Sequence, residues 1–373
     1  MKFGQKKHTL SWLTMILLAV NLILVAALLL SYLAPVVNPQ SFSLPALLGL
    51  FYPILFIINF IFLVGWILRK RWLFIISLIT LLLGWNVFFK HFTFGPEQKA
   101  DNGQTILHVV SYNVRIFDVH HWRPGDKTET RDSIKSLLNK LNADVVCFQE
   151  FFHGEQNYFP TIQPLRNSLN TPYFHTDIEA TNVRNKHFGL ATFSVYPIIN
   201  KGIIKFSGAK ANAGIFSDVL IDEDTIRFFN IHLESIKFSN SDHQFMSDFM
   251  EPGVNPSTSS GKVIFSKLKN AFINRSIQAQ TVKEFIEKSP HPVILCGDFN
   301  DTPSSFAYNT VKGNLNDAFL ESGFGFGTTY ADGIPFLRID YILHSKQLTP
   351  SDFKIHNVHF SDHYPVSAYF GLD

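Results

Sequence analysis

Ser361-Asp362-His363-Tyr364-Pro365-Val366 precedes the last apolar run of the chain, 366–370. Moving back from it, five more polar islands stand at or near the ends of apolar, β-rich runs. They are Arg338-Ile339-Asp340-Tyr341-Ile342-Leu343, Gly297-Asp298-Phe299-Asn300, Asn230-Ile231-His232-Leu233, Gln149-Glu150 and Ser111-Tyr112-Asn113. Carboxylates, carboxamides and imidazoles delivered from several strand ends suit one task. They can hold a hard divalent cation and break a phosphate ester beside it.

The residue types divide that task. Glu150 follows a buried strand, where an unpaired carboxylate is costly, and is the first choice as a ligand for Mg²⁺, with Mn²⁺ as a substitute. Asn113 offers a neutral oxygen without charge repulsion. His363 is of a residue type whose unperturbed pKa lies near neutrality and suits acid/base work, provided a partner orients its second nitrogen. Asp298 and Asn300 are two apart, so an extended segment turns both to one face.

Between the islands, alternation and helical spacing outline a mixed α/β order. Residues 106–111, 144–148, 188–196, 198–206, 214–221, 225–233, 293–296, 339–343 and 366–370 read as strands. Asp222-Glu223-Asp224 reads as a hairpin turn. Residues 129–141 and 262–288 carry apolar residues at helical spacing. Hairpins among crossovers imply mixed sheets.

The six islands, in this order, resemble the endonuclease/exonuclease/phosphatase superfamily, which includes deoxyribonuclease I, apurinic endonucleases, neutral sphingomyelinases and inositol polyphosphate 5-phosphatases; the resemblance covers residues 105–373. It implies an α/β (α+β) fold with two packed mixed β-sheets flanked by helices, a four-layer sandwich. It also implies roles. Asp340 orients His363, and Asp362 faces the metal with Glu150 and Asn113. Asp298 positions or activates the attacking water. Asn300 and His232 donate to phosphoryl oxygens. A histidine at the His232 position is similar to the nuclease, sphingomyelinase and 5-phosphatase branches, and departs from the apurinic endonucleases. A carboxylate such as Asp118, shortly after the asparagine, recurs in parts of the family.

The first hundred residues match nothing in that family. Residues 10–33, 44–68 and 72–89 are nearly free of charge and long enough to cross a bilayer, the third only just. They predict a membrane anchor over 1–90, followed by a polar linker at 91–104. The first run is too long for a signal peptide and lacks a small-residue cleavage site. Lys2, Lys6 and Lys7 precede it, and Arg69, Lys70 and Arg71 sit between the second and third. Basic residues stay on the cytoplasmic side. The N-terminus is therefore expected inside, and the catalytic domain outside the cytoplasm. Asn21 and Asn59 within the spans read as helix–helix hydrogen-bonding groups.

Residues 1–99 hold eight of the 32 basic and one of the 30 acidic side chains, so the remainder, with 24 and 29, is net acidic. It lacks the broad basic field of a nucleic-acid binder. Cys147 and Cys296 sit in apolar strands and are expected buried and free. Residues 237–261 form a long polar insert with scattered Phe and Met, read either as a disordered insert or as a substrate or membrane loop. His120, His121 and Trp122 read as an exposed loop, and Arg338 as a structural ion-pair partner. The expected activity is a membrane-anchored, Mg²⁺-dependent phosphoesterase on a lipid-linked or small phosphoester. Its alternatives are an anchored nuclease and a catalytically silent binding module. No protein partner is specified.

Overall fold

The computed structural model describes residues 11–95, 105–119, 128–154, 159–181, 186–206, 213–236, 258–332 and 336–372. The basic N-terminal residues, the His120-His121-Trp122 loop and residues 237–257 of the insert lie outside them.

Two six-stranded sheets carry the soluble half. The first has the order β11 (Thr349–Ile355), β12 (Val366–Leu372), β1 (Thr105–Asn113), β2 (Val145–His153), β4 (Lys186–Ser194), β3 (Tyr173–Thr181). The second runs β5 (Ile198–Lys205), β6 (Ala213–Ile221), β7 (Asp224–His232), β8 (Val293–Asp298), β10 (Asp340–His344), β9 (Asn316–Asp317). Each has one parallel pair at its centre, β1 with β2 and β7 with β8. The other pairs are antiparallel.

Strand alternation sorts apolar side chains into layers. Leu107, Val109, Val145 and Cys147 of the first sheet meet Phe228, Ile294, Cys296 and Ile342 of the second between the sheets. On the outer face of the first sheet, Val110, Tyr112, Val146 and Phe148 pack against Ile134 and Leu138 of α6 (Glu129–Leu141) and Leu165 of α7 (Ile162–Leu169). Outside the second, Phe229, Ile231, Val293 and Leu295 pack against Ala279 and Val282 of α8 (Thr258–Glu287). With both faces covered, the central strands read as continuous apolar runs. The result is the expected four-layer sandwich. Both cysteines are buried and free.

Five helices precede it: α1 (Trp12–Ser31), α2 (Leu44–Leu50), α3 (Tyr52–Leu68), α4 (Phe74–Leu83) and α5 (Trp85–His91). Leu28, Tyr52, Leu55, Leu63 and Leu81 form an apolar core, but unlike a water-soluble bundle the helices also turn large apolar residues outward. Polar Thr14, Asn21, Asn59, Ser77 and Thr80 are buried, while Ile23, Ile61, Leu68 and Leu83 face outward. Asn21 is a polar node, accepting from Trp66 Nε1 at 3.0 Å and donating to Ser77 Oγ at 3.0 Å. Only α1 among the described helices is long and apolar enough to cross a membrane alone. The other two expected spans are bent pairs, α2 with α3 by 73° and α4 with α5 by 62°. The first break falls at Phe51, just ahead of Pro53, which has no N–H to donate to the Gly49 carbonyl four residues back and whose ring would crowd that carbonyl in a continuous helix. The second falls at Gly84, where a Cβ would stand 2.2 Å from the Tyr32 ring. Up to three spans result if each bent pair counts as one.

The helices are docked onto the sandwich. Ala46 of α2 packs against Leu268 and Phe272 of α8, and Gln40 Nε2 donates to Ser276 Oγ at 3.3 Å. At the end of α5, Arg338 Nη2 donates to the Lys90 carbonyl at 2.8 Å and His91 Nε2 lies 2.6 Å from Ser304 Oγ. Thr93 pairs with Gly325. The segment expected as a polar linker thus begins with His91 and Thr93 in contact with the sandwich.

Candidate active site

Register brings the polar islands to one edge of the sandwich. In the second sheet His232 pairs with Asp298, and Asp298 with Asp340, so three consecutive strands end or begin in one row. In the first, Asn113 of β1 lies beside Gln149 of β2. β1, β7 and β8 finish at this edge, the parallel β1–β2 pairing stops there at Gln149, and β10, antiparallel to β8, starts there.

Asp298 is the hub and is wholly buried. Its Oδ2 accepts from Asn113 Nδ2 at 2.9 Å and from Asn300 Nδ2 at 3.2 Å, and its Oδ1 from the Asn300 amide at 2.7 Å. His232 Nε2 and His363 Nε2 approach the same Oδ2 at 3.6 and 3.7 Å. Asn300 does not reach Asp298 through strand alternation. Its φ is +52°, and the chain turns back so that amide and side chain both close on the carboxylate. Asn300 Nδ2 also donates to the Leu233 carbonyl at 3.1 Å.

His363 Nδ1 sits 3.0 and 3.1 Å from the two oxygens of Asp340. That bond assigns the donor proton to Nδ1 and turns Nε2 toward Asp298. Burial disfavours the imidazolium, yet the facing Asp340 and Asp298 carboxylates outweigh it and hold the His363 pKa well above the usual histidine value. Asp340 is itself fixed at its backbone, where Thr329 Oγ1 accepts from its amide at 3.1 Å.

Glu150 owes its position to a bulge. The β2–β4 register shifts between Phe148 and Phe151, and Glu150 adopts φ +50°. Consecutive residues of a regular strand point to opposite faces. Here both reach β7: Gln149 Nε2 donates to Asn230 Oδ1 at 2.8 Å, and Glu150 Oε1 lies 3.7 Å from His232 Nε2. The bulge re-aims Glu150 into the cleft. His232 Nε2 is buried yet has no hydrogen-bond partner, an open donor site between two carboxylates.

Asp362 adjoins this group without joining the hub. Arg115 Nε lies 3.4 Å from its Oδ2, and Ser361 Oγ is 3.2 Å from its Oδ1. Arg115 opens a turn in which Arg115, Ile116, Phe117 and Asp118 all have φ between 42° and 53°. Left-handed backbone costs roughly 1–2 kcal/mol per non-glycine residue, a strain held here by the fully buried Phe117. Asp118 is buried at the end of that turn. Asn113 Oδ1 accepts from the Arg115 amide at 3.0 Å, so Asn113 presents its nitrogen to Glu150, at 3.4 Å, and to Asp298. The neutral oxygen expected of it is turned away in this conformation.

The eight expected side chains thus form one neighbourhood, seven within reach of Asp298 or Glu150 and Asp362 at its margin. Sequence reading assigns nothing to the groups behind them. Gln149, Ser111 and Asn230 form a buried bridge between the sheets, in which Asn230 Nδ2 also donates to the Phe148 and Ala191 carbonyls. Tyr330 packs edge-on against the His363 ring, at 5.4 Å between centroids. Burial, with Asp362 and Asp332 adding to it, pushes its hydroxyl up to about 12. Only the polar character of Gln149 and Asn230 within apolar runs signals their role in advance.

The oxygen-rich donors suit a hard divalent cation. Glu150 is 30% exposed at its side chain, and among the described residues its carboxylate takes a long contact from Asn113 and lies 3.7 Å from the open His232 nitrogen. Asp298, Asp340 and His363 also lie with ligand atoms within 4.8 Å of one another. The 3.0 Å contact between His363 and Asp340 already joins two of these three as a hydrogen-bonded pair.

Among solved structures, an endonuclease/exonuclease/phosphatase family protein from Bacteroides thetaiotaomicron matches with a TM-score of 0.51 at 16% identity, covering 73% of this chain and 100% of its own. A second, from Beutenbergia cavernae, gives 0.52 at 16%, covering 72% of each. TDP2 of D. rerio, complexed with a single-strand DNA product, gives 0.50 at 18%, covering 72% of this chain and 100% of its own. At these identities the likeness carries the fold alone. No curated protein matches the chain. A domain of unknown function matches residues 14–91. The endonuclease/exonuclease/phosphatase family profile runs across 110–363, from β1 through the hub to His363, and the chain belongs to that family.

Proposed function

We propose that this protein is a membrane-anchored, divalent-cation-dependent phosphoesterase acting on a lipid-linked or small phosphoester. Members of the family are generally phosphoester hydrolases and typically metal-dependent. The observation that carries the reading is the pairing of His363 with Asp340 across from Asp298, beside the open His232 nitrogen. Glu150, with Asp362 at its margin, would hold the cation, which would supply charge neutralisation at the phosphate. His232 donates through Nε2 to a phosphoryl oxygen, and Asn113 steers the Glu150 carboxylate. Asp298, buried and hydrogen-bonded, accepts a proton of the attacking water and orients it. His363, kept protonated by its two carboxylates, hands a proton to the departing oxygen, and Asp340 keeps its ring aligned. The outward apolar surface of α1–α5, with Asn21, Asn59 and Ser77 buried, supports anchoring, and the basic residues at 2–7 and 69–71 support a cytoplasmic N-terminus with the site outside the cytoplasm.

Metal removal tests the core of this reading. EDTA should abolish hydrolysis of a generic phosphodiester by the purified full chain, and Mg²⁺ or Mn²⁺ should restore it. Turnover that persists through exhaustive chelation would sink it.

A further inference from the structure

The catalytic half carries an aromatic patch where it meets the anchor. Phe94 and Phe324 are 69% and 77% exposed, and Phe326 is 40% exposed. They stand on two segments zipped together backbone to backbone. Thr93 and Gly325 exchange both hydrogen bonds, at 3.0 and 2.9 Å. Gly95 lies so close to Gly323 that a Cβ would stand 2.2 Å from its carbonyl oxygen. Gly325, at φ +83°, gives the loop a conformation that other residues rarely adopt. No charged residue occurs between Glu321 and Asp332.

The patch is continuous with the anchor. Phe88 of α5 stacks on Phe92 at 5.7 Å, Phe92 meets both Phe94 and Phe326, and Phe326 meets Phe336. The same loop runs on to Thr329 and Tyr330, which hold Asp340 and His363. An aromatic ladder therefore leads from the end of the third apolar segment to Phe326 and Phe336, and the loop that carries Phe326 continues to the backing of the acid/base pair.

We infer that Phe94, Phe324 and Phe326 form an interfacial membrane contact that seats the active-site edge on the phospholipid bilayer crossed by the anchor. Aromatic side chains favour the boundary between acyl chains and head groups. The patch starts three residues after α5 ends, so it lies at the depth where the chain leaves the apolar layer. A patch of this kind, uncharged and joined to the membrane segment, fits a lipid surface better than a water-soluble partner. The inference rests on the anchoring part of the proposed function and is independent of the chemistry.

The test uses the full chain in vesicles of phosphatidylcholine and phosphatidylglycerol. Single cysteines at Phe324→Cys and, separately, Phe94→Cys take an environment-sensitive fluorophore, since Cys147 and Cys296 are buried. Spin-labelled lipids then report contact by collisional quenching. Ile61→Cys, on the outward face of α3, reports whether the helices lie in the bilayer. Ile106→Cys, at the opposite end of β1 from the site, reports background. We expect loss of fluorescence at Phe324 and Phe94 with a nitroxide near the head group, at Ile61 with one deep in the chain, and none at Ile106. Quenching at Ile61 with none at Phe324 or Phe94 overturns this inference and leaves anchoring standing. Absence of quenching at Ile61 overturns anchoring itself, and this inference with it.

Discussion

Glu150 carries a charge into the cleft with one amide near hydrogen-bonding reach, and that openness makes it the most informative single residue to change. Glu150→Gln keeps its volume and removes its charge. It should lower kcat/KM by roughly 10³-fold, the scale of the several kcal/mol of charge stabilisation expected from a bound cation, while circular dichroism stays unchanged. Unchanged turnover would remove Glu150 from the ligand set. His363→Ala should cost about 10²–10⁴-fold, as loss of a general acid does. Asp340→Asn should cost less and leave a distinct mark. If protonated His363 is the working form, activity is present below its raised pKa and falls as pH climbs through it. Removing the Asp340 charge lowers that pKa, so the alkaline limb of the kcat/KM profile should move to lower pH. An unmoved limb would show that His363 is not the group being titrated. These residues were legible in the sequence because their chemistry is local, each an unusual polar group at the end of an apolar run. Arg115, Thr329 and Tyr330 were not, since nothing in their own neighbourhood records that the chain will return past Asp362, Asp340 and His363.

Between elements, α8 is what ties the two catalytic strand ends to the anchor. Arg275 is wholly buried on it, donating from Nε to the Glu234 carbonyl at 2.7 Å and facing Asp301 with Nη1 at 3.3 Å. Glu234 follows the His232 island and Asp301 follows Asn300, so one guanidinium braces both. Burial pushes the Asp301 carboxyl up, and Arg275 restrains it. Arg275→Met strands that carboxylate and should destabilise the protein by about 3–5 kcal/mol, read as a fall in thermal unfolding temperature in detergent. Adding Asp301→Asn should recover part of the loss. A double variant no more stable than the single one would show that the pair is not coupled. Element type was mostly readable, since periodicity outlined α6, α8 and the central strands. The edge strands β3 and β11 were missed because polar residues, His175, Thr176, Asp177 and Glu179 in one and Ser351, Asp352 and Lys354 in the other, interrupt the apolar signal. The two helix breaks at Phe51 and Gly84 were missed for another reason. A hydropathy run is blind to direction, and Gly84 breaks where the Tyr32 ring must pass.

At the scale of the whole molecule, a charge-poor set of N-terminal helices, proposed as an anchor, joins a net-acidic half that carries the site, and that division predicts both topology and substrate. A reporter fused after residue 373 should behave as extracytoplasmic and one inserted at 69–71 as cytoplasmic. The reverse pattern would overturn the orientation read from the basic residues. For substrate, the soluble half lacks the broad positive field that draws in a polyanion, and phosphate contacts dominate the affinity of nucleic-acid binders. Lys201 and Lys205 on β5 are exposed, but β5 is the edge strand furthest in sheet order from β10 and the acid/base pair. α2 docks on α8, and α5 on Arg338 and Ser304, so in the proposed anchored form the catalytic edge would lie beside the bilayer, where head-group phosphates are concentrated. The D. rerio protein of the same fold was solved with a single-strand DNA product, which makes DNA the comparison to run. We expect kcat/KM for a phospholipid head-group ester to exceed that for single-strand or duplex DNA at physiological salt. Raising the salt should weaken any DNA turnover and leave the lipid reaction nearly unchanged, because release of counterions accompanies only the former. Preference for DNA under those conditions would replace the lipid reading with an anchored nuclease.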